Sequence, residues 1–241
     1  MAREDIVAED SAELAKAAQN YWSITGYAPG GVIREIDYAK YSVGAHPSLN
    51  GIKIVDCDTH FTEPPDIFTS RAPARLKDKV PYQKIANGTT RWFVGDRDFG
   101  IVGGNVIRKD HNKLLGRLAF PTIEEGTPAA WQVKPRLQAM DDLGISAQIC
   151  YQNSGVTQAG SLMTLGDEVG VTVLKLYNDA AAERQADSGQ RLFTLGHLPL
   201  WNKQELEAEA RRCLDMGIKG FVLPDTPETL GVPSFDAPYW A

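Results

Sequence analysis

Cysteine is scarce in this chain, and the three cysteines, Cys57, Cys150 and Cys213, are far apart in the sequence. They are odd in number and form no Cys-x-x-Cys pair, which argues against a disulfide framework and against a zinc ribbon. We therefore interpret all three as small buried residues. A reduced, cytoplasmic location is the expectation that follows.

Excess positive charge and long apolar runs are also lacking. The 241 residues carry a net charge of −6 and the pI is about 5.3, which argues against a nucleic-acid or anionic-membrane partner. No apolar run approaches the length of a membrane span, and the first residues lack the apolar core of a signal peptide.

A Gly-x-Ser-x-Gly elbow and a Gly-x-x-x-x-Gly-Lys-Ser/Thr loop are missing too, so neither a serine nucleophile nor a nucleotide site is predicted.

A pair of polar residues is the most informative feature that is present. Asp58-Thr59-His60 follows the mostly apolar run 52–55. Because a strand turns alternate side chains to one face, Asp58 and His60 are predicted to point the same way at a strand's carboxyl end, with Asp56 deeper on that face. A carboxylate and an imidazole are good ligands for Zn²⁺ and similar ions. The alternative is a solvated Asp and His at a strand end.

The residues that follow extend this pattern. The segment 56–66, Asp-Cys-Asp-Thr-His-Phe-Thr-Glu-Pro-Pro-Asp, resembles the opening strand of the amidohydrolase superfamily, most of all the branch related to aminocarboxymuconate-semialdehyde decarboxylase. Many superfamily members open with His-x-His, whereas here a carboxylate takes the first position, as in several decarboxylases of the branch. Further segments resemble the family in the same order along the chain: 136–145, 177–179, 191–193, 198–200, 216–221 and 236–240.

This resemblance implies an α/β fold, namely the first half of a metal-dependent (β/α)8 TIM-type barrel. We expect an N-terminal extension over 1–50 and a partial barrel domain over 51–241, with a small β cap inserted at about 66–133. Such barrels typically need about 250 residues, and we count only four barrel strands. The family's later ligands, a His after strand five and an Asp after strand eight, have no counterpart, so the chain is expected to be the N-terminal half of a longer enzyme.

Local signals predict the elements of this partial barrel. The predicted barrel strands are 53–58, 146–151, 191–198 and 220–223, and the predicted helices are 134–143, about 165–185, and one capped by Asn202 that runs to Met216. Alternating strands and helices imply a parallel sheet with right-handed crossovers. In the cap, Asn87-Gly88 between 82–85 and 89–94 is a hairpin signal, and a second ribbon is predicted near 100–109.

The resemblance places the chemistry where the strands end and the loops begin. It implies that Asp58 and His60 bind one divalent metal ion, Zn²⁺ in the first place, with Mn²⁺ or Mg²⁺ as alternatives. His197, at the end of the third barrel strand, is the candidate catalytic residue, and Glu63 and Asn153 are candidate substrate-binding residues. Each has a structural alternative. His197 could be a hydrogen-bonded structural histidine, Glu63 could cap a backbone amide or form a salt bridge, and Asn153 could make routine hydrogen bonds in its loop.

Two reactions are compatible with a metal at this position. One is non-oxidative decarboxylation of a small carboxylated substrate, which the carboxylate at Asp58 favours. The other is hydrolysis of a C–N or C–O bond by metal-activated water. A third possibility is a catalytically inert half-barrel that serves as a binding or assembly partner. We expect a small-molecule substrate, no nucleic acid and no membrane, a homo-oligomer when the enzyme is complete, and no activity from the isolated chain.

Overall fold

The computed structural model describes residues 34–37, 49–86, 88–102, 109, 112–115 and 122–235. Most of the predicted N-terminal extension and the family-like segment 236–240 therefore lie outside the described residues. Most of the predicted ribbon near 100–109 also lies outside the described residues. No helix within the described ranges is both long and apolar enough to cross a membrane.

The described part contains strands and helices in a mixed order. Its strands are β1 (Arg34–Asp37), β2 (Ile54–Phe61), β3 (Tyr82–Ala86), β4 (Thr89–Val94), β5 (Arg97–Ile101), β6 (Asn112–Leu115), β7 (Ile145–Gln152), β8 (Leu192–Thr194), β9 (Gly196–His197) and β10 (Phe221–Val222). Its α-helices are α1 (Val133–Leu143), α2 (Ala159–Met163), α3 (Asp167–Asp187) and α4 (Lys203–Asp215). Short 3-10 turns lie at Ala74–Leu76, Ile123–Glu125, Pro128–Ala130, Gly155–Thr157 and Pro227–Leu230.

The central sheet is parallel, in the order β2-β7-β8, and β9 pairs in parallel with β10. The backbone N–H of Leu195, between β8 and β9, donates to the Cys150 carbonyl at 3.0 Å, which carries the pairing with β7 one residue past β8. The predicted α/β fold with a parallel sheet is confirmed. The closed barrel, the domain limits and the bounds of the cap stay predictions.

Strand β2 differs from its prediction in length and in regularity. It continues to Phe61 because pairing with β7 continues as far as Gln152, so Asp58 and His60 lie within the strand. Asp56 pairs with Gln148 but Thr59 pairs with Cys150, so two residues of β2 oppose one residue of β7 in a bulge.

The bulge changes which side chains share a face. Asp56 lies on the face of Gln148, whose amide donates to Asp56 Oδ2 at 3.0 Å. His60 pairs with Tyr151 and so lies on the opposite face. The prediction that Asp56 lies deeper on the face of His60 is therefore wrong, because the extra residue in the bulge reverses the alternation.

The helices cover one face of the sheet. Helix α1 has Pro135 in its first turn and ends at Gly144, which has φ +72°, as the sequence predicts. Its buried Met140 packs with Phe61, Cys150 and Leu192 of the strands. Helix α4 begins after Asn202, whose side chain accepts from the Glu205 N–H at 3.2 Å, so the predicted cap is confirmed.

The predicted hairpin in the insert is also confirmed. Strands β3 and β4 pair antiparallel around Gly88, which has φ +76°, and β5 adds to the other edge of β4. Trp92 of β4 is fully buried and packs edge-on against Phe68 at a centroid distance of 5.4 Å. Through Trp92 and Val102 this small sheet joins the same hydrophobic core as Val156, in the segment after β7. The insert therefore lies beside the carboxyl end of the parallel sheet.

Candidate functional site

Three of the predicted site residues line one cavity. Asp58, His60 and Asn153 border a space of about 370 Å³, here called the Asp58 cavity, together with Arg136 and Gln148. The strand pair β2 and β7 places them there, since Asp58 and His60 lie in β2 and Asn153 directly follows β7. The fold thus brings together the two predicted metal ligands and one predicted substrate contact.

The ring of His60 is held in one orientation by the backbone of the neighbouring strand. Its Nδ1 lies 2.6 Å from the carbonyl oxygen of Gln152. Because a carbonyl can only accept, Nδ1 carries the proton of the neutral ring and Nε2 carries the lone pair. Histidines that bind metals commonly donate their other ring N–H to a carbonyl or carboxylate in this way. This arrangement fits a metal ligand.

Asp58 supplies the second potential ligand. Its side chain is exposed, and its backbone N–H donates to Asp56 Oδ1 at 3.2 Å across the bulge. Metal sites usually have three or more protein ligands, and no group of three or more His, Cys, Asp or Glu able to hold a metal occurs in the part of the chain that the structure describes. Asp58 and His60 therefore fit part of a metal shell.

Arg136 is a further residue at this cavity, and no site role was predicted for it. From helix α1 its guanidinium donates to Thr59 Oγ1 at 3.0 Å, to Gln148 Oε1 at 3.2 Å and to the His60 carbonyl at 2.8 Å. Burial lowers the pKa of Arg136. It anchors β2 to the helix layer and also lines the Asp58 cavity. The family-like segment that begins at Arg136 was the only sequence signal for it.

Glu63 lies outside the lining of the Asp58 cavity. Its side chain is fully buried, and its Oε1 accepts from the backbone N–H of Asn153 at 3.1 Å. Burial raises the pKa of Glu63 to about 7, and the nearby charge of Arg184 opposes this shift. Glu63 therefore contacts the polypeptide that borders the cavity, and its predicted contact with substrate stays a prediction.

His197 lies at the end of β9, as predicted, and lines a second cavity. This space of about 520 Å³, here called the His197 cavity, is also bordered by Gln152 and by Val222 of β10. Asn178 of α3 holds the His197 backbone: its Oδ1 accepts from the His197 N–H at 2.8 Å, and its Nδ2 donates to the His197 carbonyl at 2.9 Å. Burial lowers the pKa of His197 to about 4, so the ring is neutral at pH 7.

The two cavities are bordered by adjacent residues of a single segment. Gln152 borders the His197 cavity, and the next residue, Asn153, borders the Asp58 cavity. The His197 cavity adjoins the carboxyl ends of parallel strands, where α/β proteins bind ligands. The Asp58 cavity reaches that end at Asn153 and extends along β7 to its first residue, Ile145.

The fold resembles part of a solved amidohydrolase structure. The chain matches an amidohydrolase from Mycobacterium avium subsp. paratuberculosis K-10 with a TM-score of 0.51 and 16% identity, over 69% of this chain and 48% of that one. The described chain therefore has a fold similar to about half of that structure. The fold resemblance that the sequence predicted is thereby confirmed, and the chain spans about half the length of this amidohydrolase.

Further matches to solved structures are weaker. The chain also matches 2,6-dihydroxybenzoate decarboxylase from Rhizobium at 20% identity and a TM-score of 0.36, over 70% of this chain and 37% of that one. It matches IDCase from Metarhizium anisopliae at 16% identity and a TM-score of 0.38, over 69% of this chain and 40% of that one. Similarity at this level supports no inference about fold or function. A scan against protein-family models and a search of curated proteins both find no match.

Proposed function

We propose that this chain forms the Asp58–His60 end of a metal-dependent, amidohydrolase-like active site that removes CO₂ from a small carboxylated substrate without oxidation. One observation carries the proposal. The Gln152 carbonyl fixes the Nδ1–H form of His60, and His60 and Asp58, two residues apart on β2, both border the Asp58 cavity. An oriented imidazole beside an accessible carboxylate, at the carboxyl end of a parallel sheet, is a suitable start for a metal shell.

In this proposal Asp58 and His60 hold one divalent ion, with Zn²⁺ as the first choice. When bound, the ion supplies the positive charge that orients a substrate carboxylate or an adjacent oxygen. Arg136 lines the same cavity, and its positive charge adds to the attraction for an anionic substrate. Asn153, also at this cavity, is the proposed polar contact.

The His197 cavity suits the body of such a substrate. Its walls are largely apolar, formed by Leu162, Leu174, Leu198, Leu200 and Val222, as is common for pockets that bind small rings. His197 is neutral at pH 7 because burial lowers its pKa to about 4. A neutral ring can exchange a hydrogen bond with substrate, but it is a poor proton donor. We therefore assign His197 to substrate contact and expect another residue to protonate the carbon.

The test uses the polypeptide that the complete reading frame encodes. Its metal content is measured, and CO₂ release from a panel of carboxyl-labelled hydroxybenzoates is compared with the hydrolysis of amides and esters. We expect one divalent ion per chain and CO₂ release, which falls at least about tenfold in His60→Ala. His197→Ala should weaken substrate use with the metal retained. Asp58→Ala removes the second proposed ligand. Its control is Asp142→Ala, which removes an exposed carboxylate on α1, away from the proposed ligands.

The results of these assays distinguish a decarboxylase from a hydrolase and test the metal site. Hydrolysis without CO₂ release would replace the decarboxylase by the hydrolase and keep the metal site. Full activity after His60→Ala would remove the basis of the metal assignment.

A further inference from the structure

A single peptide group connects a buried carboxylate to the ring of His60. The peptide between Gln152 and Asn153 carries the carbonyl that accepts from His60 Nδ1 at 2.6 Å. The N–H of this same peptide donates to Glu63 Oε1 at 3.1 Å. A peptide group is planar and rigid, so its C=O and N–H cannot be aimed independently. The orientation that satisfies Glu63 is the one that presents the carbonyl to His60.

Further contacts fix the residues next to this peptide and next to Glu63. The side chain of Asn153 donates from Nδ2 to Thr62 Oγ1 at 2.8 Å, and the Thr62 N–H donates to the Ala130 carbonyl at 2.8 Å. Thr62 is 4% exposed and Glu63 is 0% exposed. The Glu63 side chain therefore cannot exchange the Asn153 N–H for water, and the peptide keeps this partner.

Hydrogen bonds in such a chain strengthen one another. A carboxylate that accepts from the N–H side increases the negative charge on the carbonyl oxygen, and that oxygen becomes a better acceptor for the His60 Nδ1–H. The Nδ1–H form of the ring is then favoured over the Nε2–H form, and the Nε2 lone pair stays available for a ligand.

We propose that Glu63 is a positioning residue for His60, which acts through the Gln152–Asn153 peptide to fix the tautomer and the orientation of the ring. The use of the Nε2 lone pair for a metal rests on the proposed function, but the coupling of Glu63 to His60 does not.

The tautomer can be read directly by NMR on the metal-free 241-residue chain. Long-range ¹H–¹⁵N correlations of the imidazole at pH 8 distinguish Nδ1–H from Nε2–H, and His60→Gln assigns the signals. We expect Nδ1–H to predominate in the wild type. Glu63→Met keeps the length of the side chain but offers no oxygen, so the peptide is no longer held with its carbonyl toward His60. We expect the ratio to shift about fivefold toward Nε2–H, which corresponds to the loss of about one ordinary hydrogen bond at Nδ1. In Glu63→Gln the amide oxygen should preserve the tautomer, with the Nδ1 proton moved upfield.

Glu209→Gln is the matched control. Glu209 is another fully buried carboxylate, paired with Arg212 on α4, and its substitution should leave the His60 signals unchanged. The proposal would be overturned by an Nε2–H ring in the wild type, or by an unchanged ratio in folded Glu63→Met. Should Glu63→Met not fold, an Nδ1 proton unaffected by Glu63→Gln overturns it equally. Because no metal is added, failure of metal binding or of catalysis would be seen separately and would count only against the proposed function.

Discussion

At the scale of single residues, two buried ionisable side chains make the free energy of unfolding change with pH in opposite directions. Desolvation disfavours a charged group. It raises the pKa of Glu63 to about 7 and lowers the pKa of His197 to about 4. The folded chain therefore favours the neutral form of both groups. His197 lines one cavity and Glu63 contacts Asn153, which borders the other, so the pH at which the chain is most stable reports on the surroundings of the candidate site.

The sign of each contribution follows from proton binding. Between pH 4.5 and about 7 the folded chain keeps a proton on Glu63 that the unfolded chain releases, so this group lowers stability as pH rises. Between about pH 4 and 6.5 the unfolded chain binds a proton on His197 that the folded chain does not, so this group raises stability as pH rises. The two slopes oppose each other where the windows overlap.

Single substitutions should separate these slopes. Relative to the wild type, Glu63→Gln should gain unfolding free energy as pH rises from about 4.5 to 7, by up to ~1.4 kcal/mol per pH unit. His197→Gln should change in the opposite direction between about pH 4 and 6.5. Urea unfolding followed by circular dichroism at intervals of half a pH unit measures both. Differences from the wild type that do not vary with pH would show that neither burial shifts a pKa in the way described.

At the scale of secondary-structure elements, the shape of the His197 cavity depends on a close helix crossing. Helix α2 carries Leu162, which borders this cavity, and packs against α3 at Gly170. A Cβ on Gly170 would overlap the carbonyl oxygen of Leu162. Because that oxygen belongs to the backbone, α2 as a whole would have to move.

Gly170→Ala should therefore destabilise the chain. Alanine in place of glycine normally stabilises a helix, but overpacking at this crossing should cost about 1–3 kcal/mol of unfolding free energy. The control is Gly160→Ala on α2, where a Cβ would meet only the Leu230 side chain at an ordinary 3.8 Å, with an expected change within about 0.5 kcal/mol. Urea denaturation compares the two variants. Equal stability of Gly170→Ala and the wild type would contradict the close crossing.

The elements also show which features can be predicted from a sequence. The end of α1 at Gly144, the cap of α4 at Asn202 and the hairpin at Gly88 were predicted correctly, because each depends on residues a few positions apart. The bulge in β2 and the division of 191–198 into β8 and β9 were not predicted, because they arise from pairing with residues about 90 and 40 positions away along the chain. The place of Arg136 in the site was missed for the same reason.

At the scale of the whole molecule, the described sheet has an unprotected side. Within the described part of the chain, β2 pairs with β7 alone. Val55 of β2 is 51% exposed, and Ile52 just before the strand is 57% exposed. Val55 pairs with Ala147, so it lies on the face opposite Gln148 and the helices. Apolar parallel strands are normally buried on both faces, and a free edge can pair with another chain.

The 241-residue chain should therefore self-associate. Sedimentation velocity at micromolar concentrations is expected to show species larger than a monomer, and Val55→Gln should reduce them. Leu214→Gln is the control, because Leu214 is equally apolar and 57% exposed but lies on α4. A compact monomer at every concentration, or an equal effect of the two substitutions, would contradict the role given to this face.

The most direct test of the central claim is the position at which a divalent ion binds. Mn²⁺ broadens the NMR signals of nearby nuclei even when it binds weakly, so two ligands suffice for detection. Titration of the chain with Mn²⁺ should first broaden the signals of Asp58, His60 and Asn153, and Asp58→Asn together with His60→Gln should abolish this effect. Broadening that begins elsewhere, or that is unchanged in the double variant, would contradict the assignment of Asp58 and His60 as metal ligands.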